Sequence, residues 1–330
     1  MTYRIFGSEL SPYSVKVRSF FRYKCIGHEW IPRSPAVQAE FQKYARLPLV
    51  PLVVTPEGEG IQDSTPILER FESSSPQPSV IPDDPALAFV SALLEEYGDE
   101  WGNKWMFHYR WRFQPDAWST AERIAEQMMG AQGTLAVAQA RAAVAGRMMG
   151  RLGFVGSNER TQPLIEASFV KALGLIEAHL ASRTFLLGGR PAMADFGLWA
   201  QLYEAATDPT PGAIMRASAP RVMGWVERML SPKAEGGFET LSALAPTLMP
   251  LLAQEVGALF LPWSAANAAA IGRGDKSFTM SLGGAEWTQE PQKYHARSLA
   301  EIRRKFSAAK GAPGLESLLA ESGCLAILAA

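Results

Sequence analysis

Strand and helix signals alternate along residues 1–80 of this 330-residue chain, and helical signals alone follow them. Short apolar runs such as Tyr3 to Phe6 predict strands, and Ser11-Pro12 is a typical helix start. Leu52 to Gln62 has the pattern of a β-hairpin around a Gly-containing turn. The resulting order, βαβαββα, predicts a mixed sheet with helices packed on it.

The helical pattern begins after a linker rich in Ser and Pro at residues 73–85. Beyond it, large apolar side chains recur every four positions, which predicts a helix with one apolar face. They are Phe89, Leu93, Tyr97, Trp101 and Trp105. We therefore expect an α/β domain at residues 1–80, an all-α domain at residues 86–232 and a C-terminal extension of unassigned role at residues 233–330.

The extension carries weaker signals. A modest helical stretch lies near Thr240 to Leu259, and a charged helix is predicted over Ala296 to Lys310. The segment Pro291 to His295 is predicted to be a solvated turn before that helix.

Composition argues against several classes of function. A net charge of -1, with no run of Lys or Arg, argues against a nucleic-acid partner. Cys25 and Cys324 lie far apart, which argues against a disulfide framework and fits a reducing compartment. The first residues lack the apolar core of a signal peptide, and the apolar C-terminal run is too short to span a bilayer. We expect a soluble cytoplasmic protein with no membrane partner.

Two short segments suit a small peptide ligand. If the Val50–Pro51 bond is cis, the chain bends tightly and presents the Val50 backbone at a sheet edge, where an extended peptide can pair. Asp63 and Ser64 then lie at a helix N-terminus, whose free N–H groups suit a carboxylate. The alternative is a strand edge followed by an ordinary capped helix, since Asp and Ser are preferred caps.

In this order, the two segments resemble the glutathione site of the glutathione S-transferase family, and the similarity covers roughly residues 3–230. The resemblance implies a thioredoxin-like domain followed by an all-α domain, with glutathione as co-substrate and a homodimer as the assembly. It also implies that Val50 and Pro51 hold the peptide backbone, while Ser64 takes the γ-glutamyl carboxylate and Asp63 faces the amino group. Two cations are candidates for the glycyl carboxylate, Arg46 and Lys43.

The segment Ser11-Pro12-Tyr13-Ser14 is similar to the CPYC motif of glutaredoxins with both cysteines replaced by serine. Because no protein thiolate is available there, thiol–disulfide exchange is disfavoured. The resemblance implies instead that a serine hydroxyl donates a hydrogen bond to the thiolate of bound glutathione and so lowers the thiol pKa. Ser11 aligns best with that role, Ser14 is the second candidate and Tyr13 the third. The alternative is that Ser11 only caps its helix.

The aromatic group around Trp105, His108 and Tyr109 is dense, and in the family this region contributes to the hydrophobic acceptor site. These three residues are therefore candidates for a pocket that holds a flat apolar electrophile. The alternative is an ordinary helical core. The four histidines lie far apart in the sequence, without acidic or Cys partners at ligand spacing, so no metal site is expected.

The function expected from these residues is a glutathione S-transferase that transfers the glutathione thiolate to a small hydrophobic electrophile. The alternative is a non-catalytic binding or scaffold protein that keeps the same fold. The serines in place of Cys or Tyr, and the long extension, leave that alternative open.

Overall fold

The computed structural model describes residues 2–75 and 77–330, and its N-terminal domain is built on a four-stranded mixed sheet. The elements of this domain are β1 (Tyr3–Gly7), α1 (Pro12–Tyr23), β2 (His28–Pro32), α2 (Gln38–Tyr44), β3 (Leu52–Val54), β4 (Gly60–Gln62) and α3 (Ser64–Ser74). The strand order across the sheet is β2-β1-β3-β4. The predicted βαβαββα order is confirmed.

The strand register brings three turns to the same end of the sheet. β1 is parallel to β2 and antiparallel to β3, with Phe6 opposite Leu52. Leu52 in turn faces Gln62 across the β3–β4 pair. The end of β1, the start of β3 and the end of β4 are therefore neighbours. Ser11, Val50–Pro51 and Asp63 follow or precede these strand ends, so they gather there although they are far apart in sequence.

Helices make up the second domain. They are α4 (Pro85–Tyr97), α5 (Asn103–Arg112), α6 (Gln114–Met129), α7 (Thr134–Met149), α8 (Gln162–His179), α9 (Met193–Thr207), α10 (Pro209–Ser218) and α11 (Pro220–Arg228). A segment of π-helix, Gly98–Gly102, joins α4 to α5. The backbones of this π-helical segment and of α9 approach so closely that a Cβ at Gly98 would lie 2.5 Å from the Leu198 nitrogen. Only glycine therefore fits at this crossing.

The C-terminal extension is folded and continues the helical architecture. Its elements are α12 (Leu241–Leu251), α13 (Leu261–Arg273), β5 (Phe278–Leu282), β6 (Ala285–Gln289), α14 (Lys293–Ala309), α15 (Leu315–Glu321) and α16 (Leu325–Leu328). A π-helix, Leu252–Phe260, links α12 to α13. The two predicted helices of the extension are present, whereas the antiparallel β5–β6 hairpin was not predicted. The fold class, an α/β domain followed by helices and an extension, is confirmed.

The helix formed by Leu241–Arg273 is the one segment, among the residues described, that is long and apolar enough to cross a membrane. Its most apolar window has a mean hydropathy of 1.4, and half of that window is buried inside the fold. A core helix of a globular protein passes the same test, so the observation is weak evidence for a membrane span.

Glu255, in the π-helical part of the extension, is completely buried in the core of the helical domain. Its carboxylate accepts hydrogen bonds from the hydroxyls of Ser168, at 2.5 Å, and Tyr97, at 3.2 Å. Ser168 also accepts the indole N–H groups of Trp101 and Trp105, each at 2.9 Å. The hydroxyl of Ser168 thus uses its one donor and both lone pairs. This network makes the extension a structural part of the domain.

Helix α14 continues from the core towards the N-terminal domain. Its Phe306 ring packs on Phe89 of α4, with centroids 5.5 Å apart. Lys305 Nζ forms an ion pair with Glu69 Oε1 of α3 at 2.6 Å. The extension is therefore anchored on both domains.

The burial of Glu255 predicts that this residue lowers stability as the pH rises. Burial raises the pKa of Glu255 from its ordinary 4.5 to about 7, an effect that the bonds from Ser168 and Tyr97 only partly offset. Folding therefore favours the protonated acid, and this contribution to stability is lost as the pH rises from 4.5 towards 7. Replacing Glu255 by Gln should remove about 2–3 kcal/mol of the fall in unfolding free energy between pH 5 and pH 8.

Urea unfolding of the wild type and of Glu255→Gln across that pH range measures the effect. Glu286→Gln, at an exposed glutamate of the same extension, is the matched control. Parallel pH profiles for the wild type and Glu255→Gln would contradict the assignment.

Candidate functional site

Ser11 occupies the turn between β1 and α1 and caps the helix. Its Oγ accepts a hydrogen bond from the Ser14 backbone N–H at 3.3 Å. Its own O–H has no acceptor among residues 2–75 and 77–330, so a proton remains for donation to a ligand. The positive end of α1 points towards the same place. The structure therefore shows that Ser11 caps its helix. The catalytic role of Ser11 stays a prediction, because the cap does not use its hydroxyl hydrogen.

The other two candidates in this turn are placed differently. Ser14 is fully buried, and its hydroxyl has no partner within the described parts of the chain. Tyr13 donates its phenolic hydrogen to the Asp99 carbonyl oxygen at 3.1 Å. Burial, reinforced by the nearby charges of Glu100 and Asp99, raises the pKa of Tyr13 well above its ordinary value. Because the hydroxyl hydrogen of Tyr13 is already bonded to the backbone, it is poorly placed to donate to a thiolate.

The Val50–Pro51 peptide bond is cis. Val50 forms no backbone hydrogen bond with the rest of the described chain, so its N–H and C=O are available to an extended ligand. The loop before it is held by Gln62 at the end of β4. The side-chain oxygen of Gln62 accepts from the backbone nitrogens of Arg46 and Leu47, and its amide donates to the Leu47 and Leu49 carbonyls. Gln62 therefore positions the strand edge, a role the sequence did not suggest.

The side chains of Arg46 and Lys43 are both exposed beside this loop. Arg46 follows α2 directly in the Gln62-bound loop, whereas Lys43 lies on the last turn of α2 itself. Of the two, Arg46 is the one whose backbone is fixed next to the strand edge.

Asp63 and Ser64 begin α3, and Asp63 has a left-handed backbone with a φ of 80°. A non-glycine residue rarely adopts this conformation, and such strain tends to occur at ligand sites. The Asp63 side chain does not cap the helix. In the part of the chain that the structure covers, the N–H groups of Ser64 and Thr65 have no acceptor. The N-terminus of α3 therefore keeps two backbone N–H groups without an acceptor among those residues, although Ser64 itself is only 3% exposed.

A buried lysine lies beneath this site and joins the two domains. Lys16 of α1 is fully buried, and its Nζ contacts Glu95 at 2.5 Å, Asp99 at 2.6 Å and the Thr65 hydroxyl at 3.1 Å. Burial alone would lower the pKa of Lys16, but the two carboxylates raise it above its ordinary value. For Asp99 the effect of burial prevails: it raises the pKa of this carboxyl group, although the charge of Lys16 acts to lower it. This cluster was not predicted from the sequence. The signal that was missed is the two acidic pairs, Glu95-Glu96 and Asp99-Glu100, at the end of an otherwise apolar helical pattern.

The extension reaches the same site through the first turn of α14. Tyr294 donates its hydroxyl hydrogen to Asp63 Oδ2 at 2.5 Å. Desolvation, together with the bond to Asp63, raises the pKa of Tyr294 above its ordinary value. The next residue, His295, lies against the Glu100 carboxylate and stacks edge-on against Trp263, with centroids 4.7 Å apart. The prediction of a solvated turn at Pro291 to His295 is wrong, because α14 already begins at Lys293 and its first turn contacts Asp63 and Glu100.

The structure places Trp105, His108 and Tyr109 inside the core, each no more than 3% exposed. His108 is bonded through Nδ1 to Ser157 Oγ at 2.7 Å and through Nε2 to Glu166 at 3.3 Å. Burial lowers the pKa of His108 despite the nearby Glu166. This is the core arrangement that the aromatic spacing left open as an alternative. None of the three residues lines the cavity described next.

A cavity of about 190 Å³ lies between α5, the segment after α7 and the start of α14. Its lining combines polar and apolar side chains: Glu100, Asn103, Lys104, Phe107, Met148, Arg151, Phe154, Val155, Gln292 and His295. Within the described residues, no group of three or more His, Cys, Asp or Glu side chains is arranged to hold a metal ion. The cavity therefore offers an organic ligand six polar or charged side chains and four apolar ones.

Sequence and structure comparisons relate this chain to known proteins. Residues 5–79 match the family described as Glutathione S-transferase, N-terminal domain, and residues 122–228 match Glutathione S-transferase, C-terminal domain. A comparison with curated protein sequences found no match.

Several solved structures are similar to this chain. A glutathione S-transferase from Methylobacterium radiotolerans, in complex with glutathione sulfonate, is 19% identical; the match covers 73% of this chain and 100% of that one, with a TM-score of 0.44. A glutathione S-transferase from Rhodospirillum rubrum is 16% identical over 74% and 98% of the two chains, with a TM-score of 0.46. A Tau class enzyme from mango, Mangifera indica, is 18% identical over 74% and 96%, with a TM-score of 0.42.

The two domain matches lie in the expected order and together span more than half of the chain. The N-terminal match includes all three turns that meet at the end of the sheet. The chain belongs to the glutathione S-transferase family.

Proposed function

We propose that the protein binds glutathione at the end of the sheet where β1, β3 and β4 meet. The observation that carries the proposal is at the N-terminus of α3. There the backbone N–H groups of Ser64 and Thr65 have no acceptor within the described residues, and the Asp63 carboxylate lies beside them. The N–H groups suit the carboxylate of the γ-glutamyl end of the tripeptide, and the Asp63 carboxylate suits its ammonium group. Membership of the glutathione S-transferase family supports the same ligand. The similar structure from Methylobacterium radiotolerans is a complex with glutathione sulfonate.

The remaining groups would orient the peptide and activate its thiol. The free backbone of Val50 would pair with the cysteinyl part of the ligand, as in strand addition. Arg46, with Lys43 as the second candidate, would meet the glycyl carboxylate. The Ser11 hydroxyl would donate to the thiolate, and the α1 dipole would favour the charged form.

The reaction that we propose is attack of the bound thiolate on a small hydrophobic electrophile. The sulfur lone pair forms a bond to the electrophilic carbon, and the displaced electron pair leaves with a leaving group or moves to an adjacent carbonyl oxygen. The rate would come from holding both reactants together and from the lowered thiol pKa. The apolar face of α5 at Phe107, rather than the core residues Trp105, His108 and Tyr109, is the wall we assign to the acceptor. We also place the protein in the cytoplasm as a homodimer, by analogy with its family.

A second candidate function is non-catalytic binding. Tyr294 from the extension already occupies the Asp63 carboxylate, the group assigned to the ligand amine. A site held by its own chain suits a protein that binds a partner or ligand without turning it over.

Glutathione titration by calorimetry tests the binding site. We expect the wild type to bind in the micromolar-to-millimolar range, and Ser64→Ala to weaken binding about tenfold or more because one hydrogen bond to a charged carboxylate is lost. Ser73→Ala, at the exposed far end of the same helix, should bind as the wild type does. No detectable binding by the wild type would refute the proposed function.

Substitution of Ser11 separates an enzyme from a binding protein. Ser11→Ala should lower turnover of 1-chloro-2,4-dinitrobenzene roughly 100-fold, because a hydrogen bond to the developing charge is lost, while glutathione affinity changes little. Ser11→Asp keeps a good helix cap but repels the thiolate, so it should be as inactive as Ser11→Ala without the cap loss of about 0.5–2 kcal/mol. Thiolate absorbance against pH reports the bound thiol pKa directly. Equal turnover in all three proteins, or none in the wild type, would exclude this role.

Substitution of Tyr294 tests the competition at Asp63. Tyr294→Phe removes the hydroxyl that donates to Asp63, so glutathione should bind about tenfold more tightly by calorimetry. Lys293→Ala, at the neighbouring exposed residue, is the control. Weaker binding by Tyr294→Phe would mean that this hydroxyl contributes to the glutathione site.

A further inference from the structure

Three lysines are buried among the residues described, and two of them, Lys16 and Lys24, are paired with carboxylates. The third, Lys104, has different surroundings. Lys16 contacts two carboxylates, whereas Lys104 of α5 forms no ion pair with any of the residues described. The Lys104 Nζ donates to two neutral oxygens, the Val155 carbonyl at 3.2 Å and Gln289 Oε1 at 3.4 Å. Only 2% of Lys104 is exposed. An uncompensated ammonium in such a place is costly.

Lys104 lines the cavity of about 190 Å³ together with Glu100 and His295. On its other side, the Nζ lies 3.7 Å from the centre of the Trp263 ring, and Trp287 and Trp101 are at 5.3 and 5.6 Å. The indole faces favour the charged form to some extent. They also exclude water, which removes the main stabilisation of an ammonium ion.

Burial prevails in this balance and lowers the pKa of Lys104 from 10.5 to about 7, with the charge of Glu100 offsetting only part. In a large fraction of the protein molecules, Lys104 is therefore an unprotonated amine at neutral pH. Burial raises the pKa of Glu100 well above its ordinary value, and burial near Lys104 lowers the pKa of His295. The cavity thus brings the desolvated Lys104 amine together with a carboxyl group and an imidazole that can relay protons.

We propose that Lys104 is a carbonyl-binding residue that forms a reversible imine with a small aldehyde or ketone entering this cavity. The amine nitrogen adds to the carbonyl carbon, and the carbon–oxygen bond then breaks. The two amine hydrogens leave with the oxygen as water, relayed through Glu100 and His295, and a carbon–nitrogen double bond remains. The step needs no oxidant or reductant, and it does not depend on glutathione binding.

The cavity limits the size and chemistry of the carbonyl compound. Its volume corresponds to roughly six water molecules at about 30 Å³ each, so a ligand of only several non-hydrogen atoms fits. Phe107, Met148 and Phe154 supply apolar walls for a short hydrocarbon body. Butanal is a suitable probe.

Trapping the imine in the full-length protein tests the proposal. The wild type is treated at pH 7 with butanal and sodium cyanoborohydride, and the alkylated lysines are located by mass spectrometry of tryptic peptides. We expect Lys104 to be modified at least tenfold faster than the exposed Lys293, and its rate to saturate with butanal concentration. Lys16, which is buried but paired with carboxylates, is the internal control and should remain unmodified.

The same labelling in urea should abolish the preference, because unfolding makes the lysines equivalent. Lys104→Met should lose the fast, saturable phase, and Glu100→Gln should slow it. If Lys104 in the folded wild type reacts no faster than Lys293, the proposal is wrong, whatever the outcome of the substitutions.

Discussion

The arrangement of the two domains depends on the buried ammonium group of Lys16. This one charge lies between Thr65 at the start of α3, Glu95 on α4 and Asp99 in the adjoining π-helix. Removing the Lys16 ammonium would leave two buried carboxylates without their partner, a change that typically costs about 3–5 kcal/mol. The cluster therefore fixes the helix that begins at Ser11 against both the candidate ligand site and the helical domain. It also holds Asp99 where its carbonyl binds the Tyr13 hydroxyl.

The extension is part of both the core and the site. Glu255 completes a hydrogen-bond network with side chains of the helical domain, while Tyr294 reaches Asp63 of the N-terminal domain. Between these contacts, Trp263 and Trp287 cover Lys104 and keep its amine away from water. The same segment thus stabilises the fold, occupies the carboxylate that we propose for the ligand amine, and surrounds the lysine that we propose to be reactive. A protein without these residues would have neither the Asp63 contact nor the indole cover.

The parts of the site that could be predicted are those with a local physical cause. Ser11 before a proline is a helix cap by its own chemistry, and the structure shows that bond. The Asp63-Ser64 pair was expected at a helix N-terminus because a strand pattern ends before it and a helical pattern begins after it. The aromatic spacing around Trp105 was ambiguous, since a pocket and a core produce the same helical period. Burial of Trp105 and its bond to Ser168 decide in favour of the core.

The sequence by itself determined the order of strands and helices, the family and the turns that form the candidate glutathione site, because periodicity, caps and turn residues act over a few positions. Only the tertiary structure decided what faces those turns. Asp63 and Tyr294 are 231 positions apart, and Lys104 and Gln289 are 185 apart. No local pattern encodes such pairs, since they arise from how whole helices pack. The same packing sets the protonation of Lys16 and Lys104, two buried lysines whose pKa values move in opposite directions because one meets carboxylates and the other meets neutral groups.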